Sequence, residues 1–150
     1  MIEYLVDARL IHRQTLLRLN EKKYDTLICV SEHVISDYSQ LAMLKGMVGP
    51  DVDCVFCRPE ALNCTPNREI LVVFESLACL CRCLKYTIEQ ITVIFLSAWG
   101  QKAKYYGNGL YLTEKDFNYL ETLKEKQITL YYQPFFFRKR IRLDEMLKDE

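Results

Sequence analysis

Short apolar runs alternate along this chain with segments whose apolar residues recur at helical spacing. Residues 2–6 ("IEYLV") read as a strand, and residues 14–20 as a short helix with Thr15, Leu16 and Leu19 near one face. Residues 26–31 ("TLICVS") form a continuous apolar run, the pattern of a strand buried on both faces of a parallel sheet. Residues 34–47 read as one helix with Leu41, Met43, Leu44 and Met47 as its apolar positions, stopped by Gly49 and Pro50. Residues 53–57 are a strand, and residues 59–63 a short helix with proline in its first turn. Residues 69–74 ("EILVVF") and 91–96 ("ITVIFL") are buried strands. Between 69–74 and 91–96, Ser76 is placed to cap a helix bearing Cys79, Cys81 and Cys83.

The second half continues the alternation. Residues 97–109 read as a loop containing the turn "YYGNG", and residues 110–112 as a short strand. Thr113 and Asp116 open a helix in capping-box fashion. It runs to about Lys126 with Phe117, Leu120 and Leu123 inward. Residues 128–133 are a last strand. The tail from Phe135 mixes apolar and basic residues, as a segment closing a sheet edge or making a contact would. The whole predicts a single α/β domain over residues 1–150, three-layer α/β/α, with a mostly parallel sheet covered on both faces. In such sheets ligands sit beyond the carboxyl ends of the strands.

Composition narrows the function classes. Lys plus Arg and Asp plus Glu both number 20, so the formal net charge is zero. General nucleic-acid binding, which shows as a basic excess, is not indicated. No apolar run approaches the roughly 20 residues of a membrane span. The N-terminus has an early acid and no basic region, so it does not read as a signal peptide. Seven cysteines, an odd count without an export signal, point to free thiols in a reducing cytosol. The run Cys79, Cys81, Cys83 lacks zinc-knuckle spacing and fits apolar positions on a helix better than a metal site. No metal and no cofactor are expected.

The chemistry concentrates in "VDARLIHRQT", residues 6–15. His12 lies just past the first strand, where a helix begins at about Arg13 or Gln14. Backbone N–H groups at a helix start lack intrahelical partners and can bind an anion. Arg9 and Arg13 bring two cations to the same region, and Gln14 an amide donor. An imidazole nitrogen there can accept a phosphoryl group whose charge the guanidinium and N–H donors would meet. A histidine at a strand end is equally open to a purely structural role. His33, after the second strand, is open to acid–base work or to a surface or capping role. "RKRIR" (138–142) is open to contact with acidic surfaces and reads more simply as a solvated tail.

The order D-x-R-L-I-H-x-Q at residues 7–14 resembles the phosphorylation-site loop of the IIB subunits of the mannose/fructose/sorbose family of the bacterial sugar phosphotransferase system. There the pattern is close to D-D-R-L-I-H-G-Q. "LICVSEHVISDYSQLAMLKGMVGPDVDC", "ILVVFES" and "LYLTEKDFNYLETLKEKQITLYY" resemble later segments of that family in the same order. The resemblance implies a protein-histidine phosphotransferase. His12 would take a phosphoryl group, on Nδ1, from a phosphohistidine of a IIA protein. It would pass the group to a sugar imported by the membrane IIC and IID subunits. Arg9 would hold the phosphate, Gln14 would be a loop or helix-start contact, and Asp7 would orient the loop through Arg9. The implied localisation is cytoplasmic, peripheral to the membrane complex, with no nucleic-acid partner and room for a homo-oligomer.

Several positions depart from the family pattern. Arg13 replaces a glycine, where it would either obstruct docking or add a cation beside the phosphate. Ala8 replaces an aspartate. Glu75 and Ser76 stand in the loop written "FTNP" in the family, so a carboxylate would face the phosphate unless paired. Ser97 and Trp99 stand where "GGM" was expected, at the rim of the site. The alternative readings are a IIB-like interaction or regulatory module that keeps the fold without transfer, and a domain that binds a small anion or sugar phosphate.

Overall fold

The structure is a computed structural model that describes every residue except 66, 84–87, 98–101 and 149–150. Seven strands form one sheet in the order β3-β2-β4-β1-β5-β8-β9. They are β1 (Ile2–Asp7), β2 (Thr26–Val30), β3 (Asp53–Cys57), β4 (Ile70–Phe74), β5 (Gln90–Phe95), β8 (Thr129–Tyr132) and β9 (Ile141–Arg142). All neighbours are parallel except β9, which runs antiparallel to β8. β2 and β4 are buried at every residue, as their unbroken apolar sequences require.

Helices cover the two faces unequally. α1 (Arg13–Lys22) and α2 (Tyr38–Met47) lie on one side, packed on Leu5, Leu27, Leu71 and Val73. α3 (Leu77–Cys81), α4 (Glu114–Glu125) and α5 (Leu143–Met146) lie on the other, packed on Val6, Val72, Phe74 and Val93. The predicted three-layer α/β/α architecture is therefore the observed one. Cys79 and Cys83 point into the second core, and the apolar reading of that cysteine run holds for them.

Three local readings change, and the tail takes the edge-closing place expected of it. The helix expected over residues 34–47 breaks into a 3-10 turn, Val34–Ser36, and α2. Asp37 interrupts it, because its carboxylate accepts the N–H of Gln40 as an N-cap. Met43 and Met47 are exposed, and Leu44 carries the burial. The helix expected at 59–63 is a 3-10 turn, Pro59–Ala61. The loop expected over 97–109 contains a strand, β6 (Ala103–Tyr105), paired antiparallel with β7 (Tyr111–Thr113). "YYGNG" turns between β6 and β7, with Gly107, Asn108 and Gly109 all at positive φ. The tail closes the sheet edge as β9, then forms α5.

Thr113 caps α4 with both bonds of a capping box. Its hydroxyl accepts the N–H of Asp116 at 3.1 Å, and Asp116 accepts the N–H of Thr113 at 2.9 Å.

α1 leaves the end of β1 over one face, and α3 leaves the end of the adjacent β4 over the other. The two connections diverge there and open a crevice at the carboxyl edge between β1 and β4, the usual ligand position in open parallel sheets.

Candidate functional site

Asp7 is the last residue of β1, and the register against β5 slips there: Val6 pairs with Val93 but Asp7 with Phe95. Such a bulge re-aims the side chain at a strand end. The Asp7 carboxylate is fully buried and organises the loop that follows. Its Oδ1 accepts the backbone N–H of Arg9 at 2.9 Å and Arg9 Nε at 3.0 Å; its Oδ2 accepts Arg9 Nη2 at 3.2 Å. The same Oδ2 lies 2.6 Å from His12 Nε2. Burial alone would raise the Asp7 pKa, but the bonds from His12 and Arg9 outweigh it and hold the carboxyl below its ordinary value.

An ionised carboxylate only accepts, so His12 Nε2 carries the proton in this pair. Nδ1 then keeps its lone pair. His12 caps α1: Nδ1 accepts the N–H of Gln14 at a long 3.4 Å. The ring is partly exposed, at 19% of its side-chain surface. Nδ1 therefore faces the helix N-terminus while Nε2 is fixed by Asp7.

The loop is held taut. Leu10 has φ +61°, a conformation rare for a side-chain-bearing residue, and its side chain is buried. Its N–H donates to Asp7 O at 3.0 Å and its carbonyl accepts the Thr15 hydroxyl at 2.9 Å. The rest of the fold thus imposes the strained conformation in the loop that carries His12.

Arg9 is half exposed, with its guanidinium 4.6 Å above the Phe95 ring and forked onto Asp7. Arg13 is exposed in the first turn of α1 and has ordinary helical φ, so the backbone at that position does not demand glycine. Gln14 is oriented differently from the donor role expected of it. Its side chain is buried, and its Oε1 accepts the N–H of Phe136 at 2.5 Å. Beneath it Arg18, 1% exposed, donates to Gln14 O at 3.2 Å and to Gln133 Oε1 at 3.0 Å, with Phe136 against its guanidinium.

Glu75 lies one residue past β4. It accepts the Ser31 hydroxyl at 2.9 Å and lies 3.2 Å from His33 Nδ1, so its charge is engaged by neighbours. Ser31 also accepts the N–H groups of His33 and Val34, which fixes the β2 loop. His33 is exposed and serves this carboxylate. Arg82 reaches across to Glu32 and Glu60. Ser76 caps α3 through the N–H of Cys79 at 3.1 Å, as its position predicts. Ser97 is exposed just beyond β5, and Trp99 lies outside the described residues.

The structure thus joins Asp7, Arg9 and His12 directly and seats Arg13 and Gln14 on the adjoining helix. It places Glu75, Ser76 and Ser97 at neighbouring strand ends. The direct Asp7–His12 bond was not read from the sequence, where Asp7 was expected to act through Arg9. The alternation along β1 carries the signal, since Leu5 and Asp7 share the face that α1 covers. Phe95, Gln133 and Phe136 come from distant segments, and no local pattern marks them. Among the described residues no group of three His, Cys, Asp or Glu is placed to hold a metal ion.

No protein-family model and no curated protein matches the chain in sequence. Solved structures match its fold. The IIB domain of the sorbose permease from Klebsiella pneumoniae superposes with a TM-score of 0.88 at 14% identity, over 99% of this chain and 97% of that one. ManxB from Thermoanaerobacter tengcongensis gives 0.82 at 18% identity, over 99% and 95%. A phosphotransferase-system N-acetylgalactosamine IIB component from Streptococcus pyogenes gives 0.80 at 19% identity, over 89% and 88%. The chain therefore has the IIB fold, which agrees with the resemblance in its motif order.

Proposed function

We propose that residues 1–150 form one IIB-like phosphocarrier domain of a sugar phosphotransferase system, with His12 as the phosphoryl acceptor. The observation that carries this reading is the polarised imidazole. Its Nε2 is held at 2.6 Å by buried Asp7, and its Nδ1 is directed to the start of α1. In the first step the Nδ1 lone pair forms a bond to the phosphorus of a IIA phosphohistidine. The donor's N–P bond breaks, and its electron pair returns to the donor ring. In the second step a sugar hydroxyl oxygen attacks the same phosphorus, and the pair returns to His12 Nδ1. The hydroxyl proton leaves to a base on the membrane side.

The protein's work is positioning and charge neutralisation. Asp7 fixes the tautomer and balances positive charge on the ring. Arg9, pre-set by Asp7 and Phe95, and the first N–H groups of α1 are the donors for the phosphoryl oxygens. Arg13, exposed and free to swing, adds a second cation. Glu75 is paired with Ser31 and His33, which reduces its repulsion of a phosphate. The partners in this reading are a IIA protein and membrane IIC and IID subunits, the latter carrying sugar specificity. Among the described residues no helix is long and apolar enough to cross a membrane.

The test is incubation with phosphoenolpyruvate, enzyme I, HPr and a panel of IIA proteins, read by intact mass. One acid-labile phosphate is expected, and none on His12→Ala. If the parent is never labelled while it still binds a IIA protein, the chain is an interaction module that has kept the fold without the transfer.

A further inference from the structure

The sheet face under α1 is not covered to its end. Beyond β1 it passes to β5 and β8, where none of the described helices lies, and the segment 133–140 crosses it instead. A cleft of about 450 Å³ opens there, lined among others by Glu3, Lys22, Phe136, Arg138, Lys139 and Arg140. Neither Asp7, Arg9 nor His12 lines it.

The rim of this cleft has an unusual composition. Phe135 and Phe137 are 49% and 73% exposed, and their rings pack side by side with centroids 5.9 Å apart. Arg138 stands 6.0 Å from the Phe137 ring, and Arg140 lies 4.0 Å over Tyr131. From residue 126 to 143 the sequence has no Asp or Glu, while Arg138, Lys139, Arg140 and Arg142 fall within five positions. Among the described residues, Arg142 is the one of these four with a carboxylate partner, Asp144 at 2.9 Å. Glu3, the acid inside the cleft, is taken by Lys22 at 2.6 Å and Tyr24 at 2.7 Å. In a chain of zero net charge, a run of cations with no acid among them thus stands at this edge.

We propose that this edge docks on an anionic phospholipid surface, with Phe135 and Phe137 entering the headgroup boundary and Arg138, Lys139 and Arg140 meeting lipid phosphates at the cleft. Three features favour lipid over an acidic protein or a nucleic acid. The exposed aromatics are phenylalanines, with no polar tip to match to a partner's hydrogen bonds. They project from a loop rather than line a pocket. Their rings pack against each other rather than standing open for base stacking. Apolar tips flanked by cations are the composition that binds charged membrane interfaces.

Docking there would bear on the site. The N–H of Phe136 is bonded to Gln14, whose own N–H faces His12 Nδ1. The proposal uses no step of phosphotransfer and stands or falls separately.

The test is sedimentation of the full chain with large vesicles of phosphatidylcholine alone or with 30% (roughly one lipid in three) phosphatidylglycerol, at low and high salt. Binding is expected to the anionic vesicles alone and to weaken with salt. Arg138→Gln/Lys139→Gln/Arg140→Gln is expected to lower the partition roughly a hundredfold. Phe135→Ser/Phe137→Ser is expected to lower it about tenfold or more. All five side chains are exposed, so an unchanged melting curve identifies the loss as one of binding. His12→Ala is expected to bind as the parent does, which separates this test from phosphotransfer. Equal binding to both vesicles, no binding to either, or tighter binding to single-stranded RNA than to anionic vesicles overturns the proposal.

Discussion

Asp7→Asn changes one oxygen to an amide nitrogen where four donors converge: Arg9 N, Nε and Nη2, and His12 Nε2. Whichever way the amide turns, its NH₂ meets donors. Facing Arg9, it orphans a backbone N–H; facing His12, it drives the ring to the tautomer with the proton on Nδ1. The second outcome removes the lone pair that the proposed phosphotransfer needs. Hydrogen bonds to a charged acceptor contribute about 1.5–3 kcal/mol and neutral ones about 0.5–1.5. Arg9 is 42% exposed and regains water, which discounts its share. The expected loss is then about 2–3 kcal/mol, below the cost of leaving a charge fully buried and unpaired. For a chain of this size that lowers the melting temperature by roughly 5–10 °C. Chemical denaturation gives the free energy, and ¹⁵N NMR of the histidine ring gives the tautomer. A variant within about 0.5 kcal/mol of the parent, with Nε2 still protonated, would refute the claim that buried Asp7 fixes the imidazole.

Two further outcomes follow from the same geometry. The Asp7 pKa is lowered in the folded protein, so its contribution is complete above the unfolded value of about 4 and is lost as pH falls through the folded value. Denaturation midpoints taken from pH ~5 down to ~2 should converge for the parent and Asp7→Asn; a constant gap would show that Asp7 titrates normally. Gln14→Ala leaves the Phe136 N–H without its acceptor, and about 1–2 kcal/mol of stability should be lost. Hydrogen exchange at Phe136 should rise at the same time, and unchanged protection there would mean that the loop is held by other contacts.

The candidate site and the loops around it differ in how far they could be read in advance. The cores of β2, β4 and β5 were legible because consecutive apolar residues dominate each, the run expected of a strand buried on both faces. The cap at Thr113 was legible because a capping box spans only four residues, Thr113 to Asp116. His12 was placed at the carboxyl edge by topology alone. α2 was overextended, because Asp37 reads as one polar position in a helical pattern until its side chain is seen capping Gln40. β6 was missed because a two-stranded hairpin with exposed residues carries almost no apolar signal.

By itself the sequence determined the layers of this protein, the edge on which its histidine stands, and the cations beside it. Those depend on periodicity and on residues within one turn of each other. Tertiary structure alone decided that Glu75 is taken by Ser31 and His33, and that Gln14 faces Phe136 across 122 positions of chain. Those pairings depend on which strand ends and loops the sheet order brings together. A hydrogen bond formed between segments distant in sequence leaves no period in either of them.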